Sequence, residues 1–422
     1  MKNIKDERGI TLIALAVTIV VILILAGVTI DAVFSENGII NKAKEAANAM
    51  NNAVANDQAE LNDLLEELNE IMNSEWNNNI EIPDPEPELP TNIEDVTDIQ
   101  DETVQVEDEY GNKVTIPKGF EVVEEEGTTV PEGIVVQDKD GNQFVWIPVG
   151  RVYKDNTGTN YSDIQLGRYT FNRSNGTPTL VQAAYTEENP NNYEQIVTLE
   201  SYYQEFATRS NPDGIASNGL DELNAIAKNL GAFVNSVREN AGYYLARYEA
   251  SYGSGSSVED YKPLSTISTS IRYTSSTTLI NGMLWNCVNQ IDTAKISRNM
   301  YNNDGTVGVA SDLVNSYAWD TAIVFIQEMG NENYANKTSV NTEITNTGTT
   351  MDKVCNIYDM ASNCDEWSTE YSLERGNNYT NPCGFRGGYC RNSDYTALRK
   401  STGAINNGYS TVFRVIIYIN TI

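Results

Sequence analysis

The sequence predicts an α+β protein, with a transmembrane helix at the N-terminus, an acidic linker, and a C-terminal domain in which a few helices stand among many short strands. Three observations carry that expectation. An uncharged apolar run near the start is long enough to cross a bilayer. No Lys or Arg occurs between Glu45 and Asn112, a stretch in which prolines alternate with acidic residues. Beyond residue 101, turn signals separate runs of β-formers, and helical periodicity returns in only three windows.

Residues 1–9 form a polar leader carrying Lys2, Lys5 and Arg8, and residues 10–34 form the predicted transmembrane helix, uncharged from Ile10 to Ile30. At about 1.5 Å of rise per residue the uncharged run reaches roughly 30 Å, the thickness of a bilayer's hydrocarbon core. The basic flank belongs on the cytoplasmic side. The chain after Asp31 is therefore expected outside the cell, on a single-pass protein of the cell membrane. The shorter apolar region and small-residue cleavage site of a secretory signal are not seen. Arg8-Gly9-Ile10-Thr11-Leu12-Ile13-Ala14-Leu15 resembles a type IV prepilin leader. That resemblance implies cleavage between Gly9 and Ile10. Pilins usually carry a Glu at the fifth mature position, where it is thought to pair with a neighbouring subunit's amine. Ala14 stands there, so the resemblance speaks for export and anchoring more than for assembly with other pilin-like subunits. A plain anchor that is never processed is the alternative.

After a break at Ser35-Glu36-Asn37-Gly38, residues 35–76 are expected to form a helical stalk: Leu61, Leu64, Leu65, Leu68, Ile71 and Met72 recur on one helix face. That seam can pack on a partner helix or on the chain itself. Residues 77–100, with Pro83, Pro85, Pro87 and Pro90 among Asp and Glu, are expected to form an extended, self-repelling spacer. A small β segment (101–129) and the main domain (130–422) follow. Asp108-Glu109-Tyr110-Gly111-Asn112 and Asp138-Lys139-Asp140-Gly141-Asn142 are turn signals beside Val114-Thr115-Ile116 and Phe144-Val145-Trp146-Ile147. Helical windows are expected over 221–240, 286–301 and 311–329, and strands over 243–248 and 412–419.

Composition removes several classes of function. Lys plus Arg number 28 against 59 for Asp plus Glu, a net charge of −31, which speaks against nucleic acid as a partner. The chain contains no histidine, so Ser-His-Asp and Cys-His catalysis and imidazole metal sites fall away. Its five cysteines are too few and too odd in number to form a disulfide scaffold.

The last quarter carries a family resemblance. Asn356-Ile357-Tyr358-Asp359-Met360-Ala361-Ser362-Asn363-Cys364-Asp365-Glu366-Trp367 resembles the N-x-x-D-M-x-G-N-x-W-E-W segment of formylglycine-generating-enzyme-like proteins, whose domain has a C-type-lectin fold. Phe385-Arg386-Gly387-Gly388 is similar to their RGGS strand, and Val412-Phe413-Arg414-Val415 to their terminal GFR strand. Phe144-Val145-Trp146-Ile147-Pro148-Val149 and Tyr243-Tyr244-Leu245-Ala246-Arg247-Tyr248-Glu249 resemble their opening strands, so the match spans roughly residues 130–420 in the family's order.

The resemblance implies a structural Ca²⁺ held by Asp359, Ser362, Cys364 and Glu366, the middle two through backbone oxygen. Two carboxylates around a tight turn suit a hard cation. Ser362 replaces the usual Gly and Asp365 the usual Trp, and the alternative is that Glu366 caps or pairs inside the fold. The family's enzymes bind copper through two cysteines just after the RGG strand, whereas this chain has only Cys390 there, and its iron-dependent relatives need histidines. Neither copper nor iron is expected, and no enzymatic activity. Cys383 and Cys390 can form a disulfide or stay as thiols.

In place of the catalytic pair stands a stretch rich in Tyr, Asn, Asp, Ser and Arg: Tyr389, Arg391, Asn392, Ser393, Asp394, Tyr395, Arg399, Asn406, Asn407 and Tyr409. Such residues combine rigid aromatic area with adaptable hydrogen bonding, as in antibody-like surfaces. The stretch resembles the variable region of target proteins of diversity-generating retroelements, although Asn and Tyr are abundant throughout the chain. The expected function is that of a surface-anchored, non-catalytic binding or adhesion protein whose partner is a protein or other surface ligand. An extracellular oxidase of the formylglycine-generating type and a minor pilin remain as alternatives.

Overall fold

The turn signals fold as their residues demand. In the computed structural model, Asp108 Oδ1 accepts from the backbone N–H of Tyr110 (3.0 Å) and Asn112 (2.8 Å), while its Oδ2 accepts from Asn112 Nδ2 (2.9 Å). Asp138 repeats the pattern with Asp140 N (2.9 Å), Asn142 N (2.8 Å) and Asn142 Nδ2 (2.9 Å). Gly111 and Gly141 take φ of 84° and 83°, a region that costs glycine nothing. Each turn joins an antiparallel hairpin, Val104–Glu107 with Lys113–Ile116 and Val135–Asp138 with Gln143–Pro148.

The structure describes residues 90–205, 227–272, 278–301, 307–373, 383–403 and 408–420. The leader with Gly9 and Ile10, the transmembrane segment over 10–34, the stalk over 35–76 and most of the spacer lie outside these residues. The expected fold class is corrected. Among the described residues short β-strands dominate, and the α-helices are three short ones, Leu230–Asn240, Gln290–Arg298 and Ser316–Glu328. None of them is long and apolar enough to cross a membrane. The second and third helices are shorter than their periodic windows because neighbouring residues have other hydrogen-bond partners. Val309–Leu313 is paired in a sheet, so the third helix starts only where the Asn315 side chain accepts from Ala318 N (2.9 Å). Asn289 caps the second in the same way, from Asp292 N (2.9 Å).

A six-stranded antiparallel sheet forms the centre, in the spatial order Val309–Leu313, Val415–Ile419, Gly242–Ala246, Gln143–Pro148, Val135–Asp138, Phe120–Val122. The strands Gly242–Ala246 and Val415–Ile419 are buried along their whole length. Gly242 is required by packing: a Cβ there would lie 2.3 Å from the Trp146 indole, which packs at a tilt of 60° on Tyr244 with centroids 4.9 Å apart. Phe233, on the first helix, meets Tyr243 and Tyr418 edge-on. Strand Phe120–Val122 ties the segment before residue 130 into this sheet, so that boundary separates nothing structurally. The spacer is also shorter than expected: Thr91 O accepts from Glu107 N, Val96 O from Val122 N, and both Ile93 and Val96 are buried.

The second sheet runs Tyr203–Gln204, Asp365–Ser372, Cys383–Arg386, Lys400–Thr402, with Thr411–Phe413 parallel to Asp365–Ser372 on a separate branch. The single terminal strand expected over 412–419 is thus divided. Thr411–Phe413 belongs to one sheet and Val415–Ile419 to the other, and Arg414 sits at the crossing.

Candidate binding surface

The candidate stretch begins where Cys383–Arg386 ends. Gly387 has φ of 89°, and a Cβ on Gly388 would fall 2.2 Å from the Ala361 carbonyl oxygen, so only glycine lets this backbone lie against the 361–364 loop. Cys390 N donates to Asn363 O (3.2 Å) and Gly387 N to Thr396 O (3.2 Å). At the far side Thr396 N donates to Lys337 O (3.0 Å) and Ala397 N to Ala335 O (2.9 Å). The loop between is fastened at both ends. It presents Arg391, Asn392 and Ser393 fully to solvent, with Tyr389, Asp394 and Tyr395 half-buried beside them. Asp394 is held by Lys400 Nζ (3.1 Å) and Asn392 Nδ2 (3.2 Å). Tyr409 and Tyr389 pack on a small apolar cluster that includes Cys364, Cys390 and Val412. Asn406 and Asn407 lie outside the described residues.

Arg399 is a correction. Its side chain is buried, not displayed, because three neighbouring elements supply partners for it. Its guanidinium donates to Glu370 (2.9 Å), Asp320 (2.5 Å), Glu200 (3.2 Å) and the Tyr169 carbonyl (3.1 Å). Arg386 bonds the same two carboxylates, Glu370 at 2.9 Å and Asp320, and Arg168 reaches Glu370 at 3.2 Å. Burial alone would raise the Glu370 carboxyl; Arg399, Arg386 and Arg168 together outweigh it and hold the group below the ordinary carboxylate range.

A pocket of about 350 Å³ opens beside Tyr395, walled by Thr170, Phe171, Arg173, Tyr202, Tyr395 and Leu398 among others. Arg173 is exposed and its guanidinium lies 5.6 Å from the Tyr395 ring centroid. No spacing in the sequence links residues 170–173 and 200–203 to Tyr395; the adjacent Tyr202 and Tyr203 were the only local sign.

The two carboxylates among the four residues implied for calcium have protein partners in this structure. Glu366 is fully buried and both its oxygens accept from Arg414 Nε (3.1 and 3.0 Å), with Arg414 Nη2 at 2.6 Å from Oε1. Glu366 is thus paired inside the fold. Asp359 accepts from Thr347 Oγ1 and Gly348 N (both 2.9 Å) and from the Thr350 hydroxyl. Ser362 Oγ accepts from Val340 N (3.1 Å), and Cys364 N donates to Glu249 Oε1 (3.1 Å). Burial, then Asp359 and Glu366, raise the Glu249 carboxyl well above its ordinary value. Among the described residues no group of three or more His, Cys, Asp or Glu is placed to hold a metal ion.

All five cysteines are free, including Cys383 and Cys390. Burial pushes the Cys390 thiol up to about 11 and those of Cys355 and Cys383 up to about 12. At neutral pH these groups are thiols, which are poor nucleophiles and poor metal ligands.

No model of a known family, no curated protein and no solved structure matches this chain.

Proposed function

We propose that the chain is a non-catalytic binding protein, held at the cell surface through its apolar residues 10–30, and that the fastened loop 389–395 with Tyr409 and the adjoining pocket is its contact surface. The observation that carries this reading is the loop's construction. Its backbone is fixed at both ends by hydrogen bonds to the 361–363 and 335–337 segments, while Arg391, Asn392 and Ser393 point their polar groups at solvent between two tyrosines. Rigid tyrosines beside adaptable polar groups lose little conformational entropy on binding, and Tyr and Arg are the residues most enriched where interface energy concentrates. The protonated thiols support a role without thiol chemistry. The resemblance of this stretch to diversified target proteins supports variation of its exposed residues on a constant framework.

The full chain is tested on an array of peptides and glycans, beside a Tyr389→Ala/Arg391→Ala/Tyr395→Ala variant whose unfolding midpoint is measured in parallel. Retention on a subset of features, lost in the variant without loss of stability, is the expected result. Retention that ignores these substitutions, no retention at all, or substrate turnover abolished by Cys390→Ser overturns the reading.

A further inference from the structure

The pocket beside Tyr395 has an electrostatic character opposite to that of the chain. Acidic residues outnumber basic ones 59 to 28 overall. The carboxylates nearest the surface are nonetheless engaged: Glu200, in the pocket wall, pairs with Arg399 at 3.2 Å, and Asp394, one residue from Tyr395, pairs with Lys400 at 3.1 Å. Both of those cations approach from the protein side, Arg399 wholly buried and Lys400 mostly so. What remains for a visitor is Arg173 on the pocket wall and Arg391 on the loop, both exposed and neither paired with a carboxylate among the described residues. Arg173 is also pre-positioned, since its guanidinium already lies against the Tyr395 ring.

We infer that the partner is an acidic protein segment, and that one of its Asp or Glu side chains enters this pocket to pair with Arg173. The inference rests on the surface reading above and names the partner's chemistry. A pocket of about 350 Å³ is at the small end of ligand sites, the size for one anchoring side chain and not for a helix or strand. Its aromatic residues, Phe171, Tyr202 and Tyr395, offer apolar surface to the stem of that side chain, while Arg173 supplies paired donors for a charge-assisted bond to its carboxylate. Arg391 on the neighbouring loop is placed for a second acidic residue. The overall negative charge does not forbid this, because charges more than about 8 Å away are largely screened at physiological ionic strength.

The test prints each acidic peptide beside a copy with Asp and Glu replaced by Asn and Gln, next to glycans, and reads retention of the full chain, Arg173→Ala and Arg173→Lys. Arg173 is exposed, so its substitution leaves the fold intact, which the unfolding midpoint verifies. The acidic copies are expected to retain the chain about tenfold better than the amide copies, and Arg173→Ala to abolish that preference. Arg173→Lys restores only part of it, since an ammonium lacks the paired donors of a guanidinium. Equal retention of acid and amide copies, a preference that survives Arg173→Ala, or retention on glycans alone overturns the inference; where the Tyr389, Arg391 and Tyr395 substitutions still abolish retention, the surface reading stands without it. No retention on any feature overturns both.

Discussion

Glu370→Gln is the substitution that most directly examines how the platform under the binding loop is held. Glu370 is fully buried and accepts from three guanidinium groups, at 3.2 Å from Arg168 and 2.9 Å from both Arg386 and Arg399. Neutralising it leaves those three cations with buried Asp320 and with Glu200, a third exposed at the rim, as their remaining ion-pair partners among the described residues. Removing one partner of a buried ion pair costs about 3–5 kcal/mol, and the positive charge left uncompensated among three buried guanidinium groups places this case at the upper end. Against a typical total stability of about 5–15 kcal/mol that is a large fraction, equivalent to a fall in Tm of about 5–7 °C in a unit of this size. Urea unfolding followed by tryptophan fluorescence reads it directly, because Trp146, Trp285, Trp319 and Trp367 are all buried. Arg399→Met is the companion: it leaves Arg168 and Arg386 balanced by Asp320 and Glu370, so a smaller loss of about 2–3 kcal/mol is expected. A loss under about 1 kcal/mol for Glu370→Gln, or an Arg399→Met protein of full stability that has lost only binding, would refute the assignment of this cluster to the fold.

Two further outcomes are expected. Burial raises the Asp312 carboxyl to about 7 in spite of Arg298, and that of Asp365 to about 6 in spite of Lys400. Their folded values lie above the unfolded value near 4, so the native state binds more protons in between. Stability should therefore fall by up to about 1.4 kcal/mol per pH unit per group as pH rises from about 4 to 7, then level off, and Asp312→Asn should flatten the part of the slope nearest pH 7 in pH-dependent urea titrations. Gly388→Ala forces a Cβ to within 2.2 Å of the Ala361 carbonyl, so the loop must move; binding should drop along with about 1–3 kcal/mol of stability, measured by array retention and thermal unfolding, and an unaffected variant would show that the loop is not fixed there.

The parts of the structure visible in the sequence are those set by local chemistry. Asp108 and Asp138 with their Gly-Asn partners dictate their own turns within five residues, and the hairpins follow. The third helix is shorter than its periodic window, because periodicity does not reveal that Val309–Leu313 is taken by a sheet partner more than a hundred residues later. The same limit explains the site. Arg399 stands among exposed polar residues in the chain and looks like one of them, yet its partners Asp320 and Glu370 arrive from a distant helix and strand. Glu366 looks like a cation ligand in the chain, yet Arg414, at the crossing between two strands, pairs with it. The Tyr-rich loop was legible because its exposed residues are consecutive; the pocket was not, since Arg173 and Tyr202 meet Tyr395 only in three dimensions.

The crossing at Arg414 has a consequence for how the protein comes into being. Thr411–Phe413 and Val415–Ile419, separated by that one residue, supply a strand to each of the two principal sheets, and Val415–Ile419 lies inside its sheet between two neighbours. A growing polypeptide cannot complete either layer until residues 411–419 have left the ribosome, and the partners drawn together are as far away as Gly242–Ala246.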